Sequence, residues 1–287
     1  MKIKNKFFIR FDYVVRFIYS RFWPINLVLN KIMYWRLYVY KRPKIDYQNL
    51  FNKLQIISER ARIDIKDKVV LELGPGNSIA NAFCFLLLGA KKVYLVDKFT
   101  RFLDSKKQRG FYQNEVDCFI KKFGKEELFF INDDLSVKQE YITLIKKDLT
   151  ETRDLKVDFI YSVSVLEHIK DVESNIRKMF EILLAGGSIC HSIDMRDHYD
   201  FKNPLLFYKY SDKTWEKWLT QEGFSYTNRL RYNNFINLFK NSGFRVIDVD
   251  RSICEKIPKK INEKLAKRDD LEICKMKIFL KKEKDNA

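Results

Sequence analysis

The chain has no pair of cysteines at short spacing, no internal repeat and no low-complexity segment. Its five cysteines (Cys84, Cys118, Cys190, Cys254, Cys274) are scattered, which argues against a zinc ribbon and a disulfide framework and suits a reducing cytosol. Long apolar runs are missing too. The longest charge-free stretch near the amino terminus, Phe22 to Asn30, is too short to span a bilayer or to serve as a signal-peptide core. Acids are scarce at that end: residues 1–44 hold eleven Lys or Arg against the single acid Asp12, so more than half of the excess positive charge lies there. Disorder throughout is excluded, because 287 residues with 46% hydrophobic and 15% aromatic content can bury a substantial core. The net charge of +17 predicts attraction to phosphate-bearing partners without choosing among nucleic acid, anionic lipid and phosphorylated substrates.

Within residues 5–22, Phe7, Phe8, Phe11, Val14, Val15, Ile18 and Phe22 recur at helical spacing, with Lys6, Arg10, Arg16 and Arg21 between them. Trp23-Pro24 ends this amphipathic helix, and Leu27, Val28, Ile32, Trp35 and Val39 mark a second. Aromatic residues interleaved with positive charge suit a helix lying in an anionic membrane interface; packing on the rest of the chain is the equal alternative. A nucleic-acid arm is less favoured, since such arms are less apolar. Residues 1–62 therefore read as a basic aromatic helical extension and 63–287 as the main domain. The expectation is a cytoplasmic protein, with peripheral attachment to the inner membrane face through residues 1–42 as its variant.

From Lys68 the pattern becomes regular. Strands are predicted at 69–73, 92–97, 141–145, 158–163, 188–193, 244–250 and 274–280, and helices at 78–89, 171–184 and 231–241, with stops at Gly89, Ala185-Gly186-Gly187 and Gly243. Strands alternating with helices imply an α/β fold: a Rossmann-like, seven-stranded, mainly parallel sheet covered on both faces, with a final hairpin pair at its edge. Residues 200–228 form an aromatic-rich cap insertion.

The first strand runs into Glu72-Leu73-Gly74-Pro75-Gly76-Asn77, and the second ends at the acid Asp97, followed by Lys98. A strand, a glycine turn, a helix and an acid about 20 residues on describe a nucleotide-type binding half-fold. The dinucleotide fingerprint needs a third glycine for close helix packing, yet Ile79 stands there. What remains resembles class I S-adenosylmethionine-dependent methyltransferases. Further likenesses are Lys147-Asp148-Leu149 after the third strand, Ser162-Val163-Ser164-Val165-Leu166-Glu167-His168 after the fourth, and Leu183-Leu184-Ala185-Gly186-Gly187-Ser188 before the fifth. The resemblance implies S-adenosylmethionine as cofactor. It implies that Gly74, Gly76 and Asn77 approach it, that Asp97 beside Lys98 holds the ribose hydroxyls, and that Asp148 and Leu149 meet the adenine, with Ser162 beside the methyl donor. Asp133 and Asp134 are rivals to Asp148. Glu72, on a buried strand, needs partners and either serves structure or positions the methionine end of the cofactor.

For catalysis, His168 can face the transferred methyl group, and Asp194, Asp197 and His198 lie where the fifth strand ends, able to form a carboxylate–imidazole pair. His191 reads as core. No metal is expected, for want of a second His or a Cys at ligand spacing. Phe201, Phe207, Tyr208, Tyr210, Trp215, Trp218, Phe224 and Tyr226 suggest a lid over a flat substrate or a packed cap, and Arg229 and Arg231 can meet an anionic group or be merely solvated. The functional expectation is methyl transfer, at oxygen, to a small-molecule or glycan acceptor, lipid-linked in one variant. The family resemblance also suggests polysaccharide or secondary-metabolite pathways. A nucleic-acid methyltransferase is the first alternative, although an Asn-Pro-Pro-Tyr or Pro-Cys motif is lacking. A catalytically silent, cofactor-binding interaction protein anchored by the basic helix is the second. The oligomeric state is not legible.

Overall fold

The computed structural model describes residues 45–100, 106–198, 203–216, 226–254 and 269–283. The two helices expected before residue 44, and the membrane-surface reading attached to them, lie outside the described residues, as do Phe201, Trp218 and Phe224. Among the described residues no helix is long and apolar enough to cross a membrane.

Seven strands form one sheet. β1 (Val69–Leu73) is an apolar run broken only by Glu72, and four of its five residues are buried, the pattern of a strand covered on both faces. β2 (Lys92–Val96), β3 (Ile142–Ile145), β4 (Val157–Val163) and β5 (Leu183–Asp194) pair in parallel with their neighbours. β6 (Arg245–Ile253) and β7 (Ile273–Lys281) complete it with antiparallel pairings. The order is β3-β2-β1-β4-β5-β7-β6. The hairpin pair does lie at the edge, with the last strand inserted between β5 and β6. Because the chain turns one way from β1 to β2 and the other way from β4 to β5, the carboxyl ends of β1 and β4 flank a topological switch point, where open α/β sheets bind ligands.

Helices α1 (Tyr47–Arg60), α2 (Ala80–Leu87) and α3 (Lys106–Phe123) cover one face. Their core centres on Phe83, whose ring meets those of Tyr47, Tyr112, Phe119 and Phe130; burying one such side chain contributes about 1.5–3 kcal/mol. Helices α4 (Val172–Ile182) and α5 (Tyr232–Asn241) cover the other face through Ile176, Met179, Phe235 and Phe239. Two of the helices start at capping aspartates: Asn49 N–H donates to Asp46 and Ser174 N–H to Asp171, each at 3.0 Å. The end of α1 is fastened to the sheet edge. Arg60 spans Asp248 and Asp250 of β6 and stacks on the Phe279 ring, 4.4 Å away.

Two expectations are corrected. Gly186 and Gly187 form an irregularity inside β5 rather than a turn before it: Val157 pairs with Leu183 but Phe159 with Ser188, so three extra residues bulge from β5. Gly186, at φ +78°, supplies the left-handed conformation such a bulge needs. Cys254 and Cys274 form a disulfide, with Cα atoms 5.4 Å apart. Spacing in the sequence hides this pair, because the hairpin register that sets Ile253 opposite Ile273 is what brings them together. Cys84, Cys118 and Cys190 are free.

Candidate active site

The turn after β1 and the turn after β2 are stitched to each other. Gly74 N–H donates to Val96 O at 2.8 Å, Gly76 N–H donates to Asp97 Oδ2 at 3.0 Å, and the Thr100 hydroxyl donates to Gly76 O. Both oxygens of Asp97 are occupied by backbone, since Phe99 N–H reaches Oδ1 at 2.7 Å. Each carboxylate oxygen has a second lone pair, so the carboxylate can still accept the protons of a diol. Burial raises the Asp97 pKa while the amides of Phe99, Gly76 and Thr100 pull it down.

The two glycines serve different needs. A Cβ on Gly74 would lie 2.4 Å from Val165 Cγ2, so the loop after β4 closes on bare backbone there. A Cβ on Gly76 would meet nothing within 4 Å; there, backbone faces space that a ligand can fill. Ile79 N–H, at the end of the turn, donates to buried Glu115 of α3 at 3.2 Å. Glu115 is a positioning contact that no motif signals.

Asn77 is buried in the turn and Lys98 is exposed, its ammonium over the Phe99 ring at 5.7 Å. Buried Glu72 accepts from Asn81 Nδ2 at 2.6 Å through Oε1, and its Oε2 has no partner among the described residues. Burial pushes its pKa up to about 8. Asp148 follows β3 at the carboxyl edge, its carboxylate accepting from Thr150 N–H at 3.0 Å and from the Thr150 hydroxyl at 2.8 Å, with Leu149 buried beside it. Asp133 and Asp134 precede β3 instead, and Asp134 closes a local turn onto Ser136 N–H at 2.9 Å. Ser162 departs from expectation. Its hydroxyl pairs with His191 Nδ1 at 2.7 Å, both residues wholly buried and the imidazole stacked on Phe239, so its side chain serves the core. At the end of β4 it is Val163 and Ser164 that are exposed, with Ser164 at φ +55°.

Beyond the turn at Ser164, Glu167 and His168 meet the end of β5. Glu167 is 1% exposed, and its Oε1 accepts from Asp194 N–H at 3.2 Å. His168 Nδ1–H donates to Tyr226 O at 2.6 Å, and His198 Nε2–H donates to Asp194 O at 3.2 Å. The ring of His198 is thus oriented by the Asp194 carbonyl, while Arg196 holds the Asp194 carboxylate, Nη2 to Oδ2 at 2.6 Å, with Lys275 at 3.5 Å. Asp197 is buried beside it, its N–H donating to Pro204 O at 2.7 Å. Burial holds the His168 pKa down, to about 4, and lowers that of His198. It raises Glu167 to about 8.

Asn228 is the fastener that the sequence did not reveal. Its Nδ2 donates to Leu166 O at 2.7 Å and Ile169 O at 2.9 Å, and its N–H donates to Glu167 O at 2.9 Å. The cap residues Phe207, Tyr208 and Trp215 are buried in their own cluster with Leu205 and Leu271, and Trp215 Nε1–H donates to Thr227 O at 2.9 Å. Those rings are packed, not displayed. The two arginines are also internal: Arg231, wholly buried, donates to Met195 O at 2.7 Å, Leu271 O at 2.8 Å and Ile273 O, while Arg229 binds Phe207 O, Tyr210 O and Asp212.

Residues 46–249 match the family of methyltransferase domains. No curated protein matches the chain. Among solved structures, it is similar to an S-adenosylmethionine-dependent methyltransferase from Clostridium acetobutylicum, 12% identical, over 89% of this chain and 99% of that one, with a TM-score of 0.49. It is also similar to one from Mesorhizobium loti, 15% identical, over 79% of this chain and 96% of that one, with a TM-score of 0.44.

Proposed function

Because the chain belongs to the methyltransferase-domain family and takes S-adenosylmethionine as its methyl donor, we propose that it methylates a hydroxyl group of a small-molecule or glycan acceptor. The observation that carries the donor site is the bond from Gly76 N–H to Asp97 Oδ2 at 3.0 Å, which fixes a carboxylate beside a backbone turn with space over it. In this reading Gly74, Gly76 and Asn77 bring backbone to the cofactor, Asp97 accepts its ribose hydroxyls, and Asp148 with Leu149 borders the adenine. The residues fit that group, since the ribose diol needs hydrogen-bond acceptors and each Asp97 oxygen, already fixed by one backbone amide, has a second lone pair to offer. When bound, S-adenosylmethionine supplies a methyl group on a sulfonium, already a good leaving group.

The protein's remaining tasks are alignment of the acceptor oxygen and management of its proton. His168 and His198 serve the second task, because both imidazoles stand at the carboxyl edge beyond β4 and β5, past the exposed Val163 and Ser164. The basic, aromatic segment 1–42 supports a lipid-linked acceptor by its composition. Calorimetry with S-adenosylmethionine tests the donor site. The native chain binds it and Asp97→Ala binds at least tenfold more weakly; equal affinity in the two would sink the assignment.

A further inference from the structure

Glu167, His168 and His198 bring one carboxylate oxygen and two ring nitrogens to within 4.8 Å of one another at the carboxyl edge of the sheet. We propose that these three side chains bind a first-row divalent cation, which holds the acceptor hydroxyl in a further coordination position. The role toward the acceptor rests on the methyl-transfer reading; the cation site does not.

The donor set is the first ground. Two imidazoles and a carboxylate suit zinc, iron or nickel better than magnesium or calcium, which prefer all-oxygen shells. The second ground is that both imidazoles are oriented as ligands usually are. A metal-bound histidine donates its other N–H to a carbonyl or carboxylate, which fixes tautomer and ring direction. His168 donates from Nδ1 to Tyr226 O, which places its lone pair on Nε2, and His198 donates from Nε2 to Asp194 O, which places its lone pair on Nδ1. The third is Glu167 Oε2, in a residue 1% exposed, which has no hydrogen-bond partner among the described residues. A buried carboxylate oxygen left in that condition is costly, and a cation would satisfy it.

The backbone behind the cluster is held by Asn228, so the ligands are presented from a fixed base. Metal bonds of about 2.0–2.2 Å place ligand atoms roughly 3–3.5 Å apart, so closing on a cation draws the three side chains together by about an ångström. Arg196 and Lys275 are engaged with the Asp194 carboxylate.

A cation at this place would act on the acceptor as a Lewis acid, lowering the pKa of the hydroxyl it holds. The acceptor O–H bond then breaks with the proton passing to water, an O–CH3 bond forms, and the C–S bond breaks with its electron pair left on sulfur.

The chain has only three histidines, so the native, tag-free protein reports on itself. Imidazole nitrogen–proton spectra are recorded after chelator treatment and during titration with Zn2+. Signals of His168 and His198 are expected to shift at one equivalent while those of His191, sealed in the core, stay in place. Zinc affinity is expected to fall at least tenfold in His198→Asn and Glu167→Gln, with S-adenosylmethionine affinity unchanged in both. Imidazole signals that stay unmoved at saturating zinc would overturn the site, as would undiminished zinc affinity in the variants. Zinc binding of the expected kind in a chain that takes no S-adenosylmethionine would uphold the cation site and remove the methyl-transfer reading.

Discussion

The rings of His168 and His198 meet edge to face with centroids 4.8 Å apart, although thirty positions separate them in the chain. Each is anchored by a carbonyl from a different segment, Tyr226 in one case and Asp194 in the other. Two imidazolium rings at this distance would repel, and burial already disfavours the charge on each. The pair therefore enters the neutral pH range uncharged, beside a carboxyl whose pKa burial has pushed up to about 8.

That arrangement makes stability depend on pH in a direction set by the signs of the shifts. His168 and His191, held at about 4 and about 3, contribute stability that is present above the unfolded value of 6.5 and is lost as pH falls. Glu72 and Glu167, raised to about 8, contribute stability that is present below 4.5 and is lost as pH rises through 8. Between pH 4.5 and 6.5 the two trends oppose each other; between 6.5 and 8 only the carboxyl trend remains. Urea midpoints measured with a chelator present are expected to fall over that upper window, by on the order of 1 kcal/mol for each carboxyl. Glu167→Gln is expected to show about half the decline. A native chain whose midpoint rises from pH 6.5 to 8 would contradict the assignment.

Much of the fold was legible because β1 to β5 are short apolar runs bounded by glycines and acids, a pattern local to each element. The same holds for Gly74, Gly76 and Asp97, which lie at the ends of adjacent strands, so their proximity follows from parallel order alone. What was not legible depends on long-range register. Cys254 meets Cys274 through a hairpin, Ser162 meets His191 across β4 and β5, and Asn228 meets Glu167 across sixty-one positions. Arg229 and Arg231 read from the sequence as either an anion contact or solvated residues, because the sequence does not tell which carbonyls lack donors. The Glu167–His168–His198 cluster is hidden in the same way, because its second histidine arrives by tertiary folding and not at ligand spacing.

Gly74 should be the less replaceable of the two turn glycines. Both have positive φ, +69° and +64°, which costs an alanine about 1–2 kcal/mol. Only Gly74 also faces Val165, whose Cγ2 a Cβ would approach to 2.4 Å. Gly74→Ala is therefore expected to weaken S-adenosylmethionine binding and lower the melting temperature more than Gly76→Ala lowers it, and Val165→Ala is expected to restore part of the loss in the double variant. No rescue in that double variant would show that the steric account is wrong.

The Cys254–Cys274 disulfide closes a segment of about twenty residues, for which loop-closure entropy predicts roughly 3 kcal/mol of stabilisation. Because Met195 N–H donates to Cys274 O at 2.8 Å, the bond also braces the strand against which the Asp194–His198 segment rests. Reduction, or Cys274→Ser, is expected to lower the urea midpoint accordingly. Free-thiol titration of the unfolded, unreduced chain should find three reactive thiols; five would remove the bond from the native state.

Arg231 gives the sharpest contrast between a binding role and a structural one. Its guanidinium is wholly buried and donates to the carbonyls of Met195, Leu271 and Ile273, which joins the end of β5, the start of β7 and the entry to α5. Truncation to alanine strands these carbonyls in a dry interior, where each unsatisfied group costs about 1–3 kcal/mol. Arg231→Ala is expected to destabilise the fold by about 3 kcal/mol or more, read from the urea midpoint, with S-adenosylmethionine affinity at low temperature unchanged. Arg231→Lys should recover little, since an ammonium cannot span the fork of acceptors that the planar guanidinium fills. If the alanine variant instead keeps its midpoint to within about 0.5 kcal/mol, the residue is not the internal fastener described here.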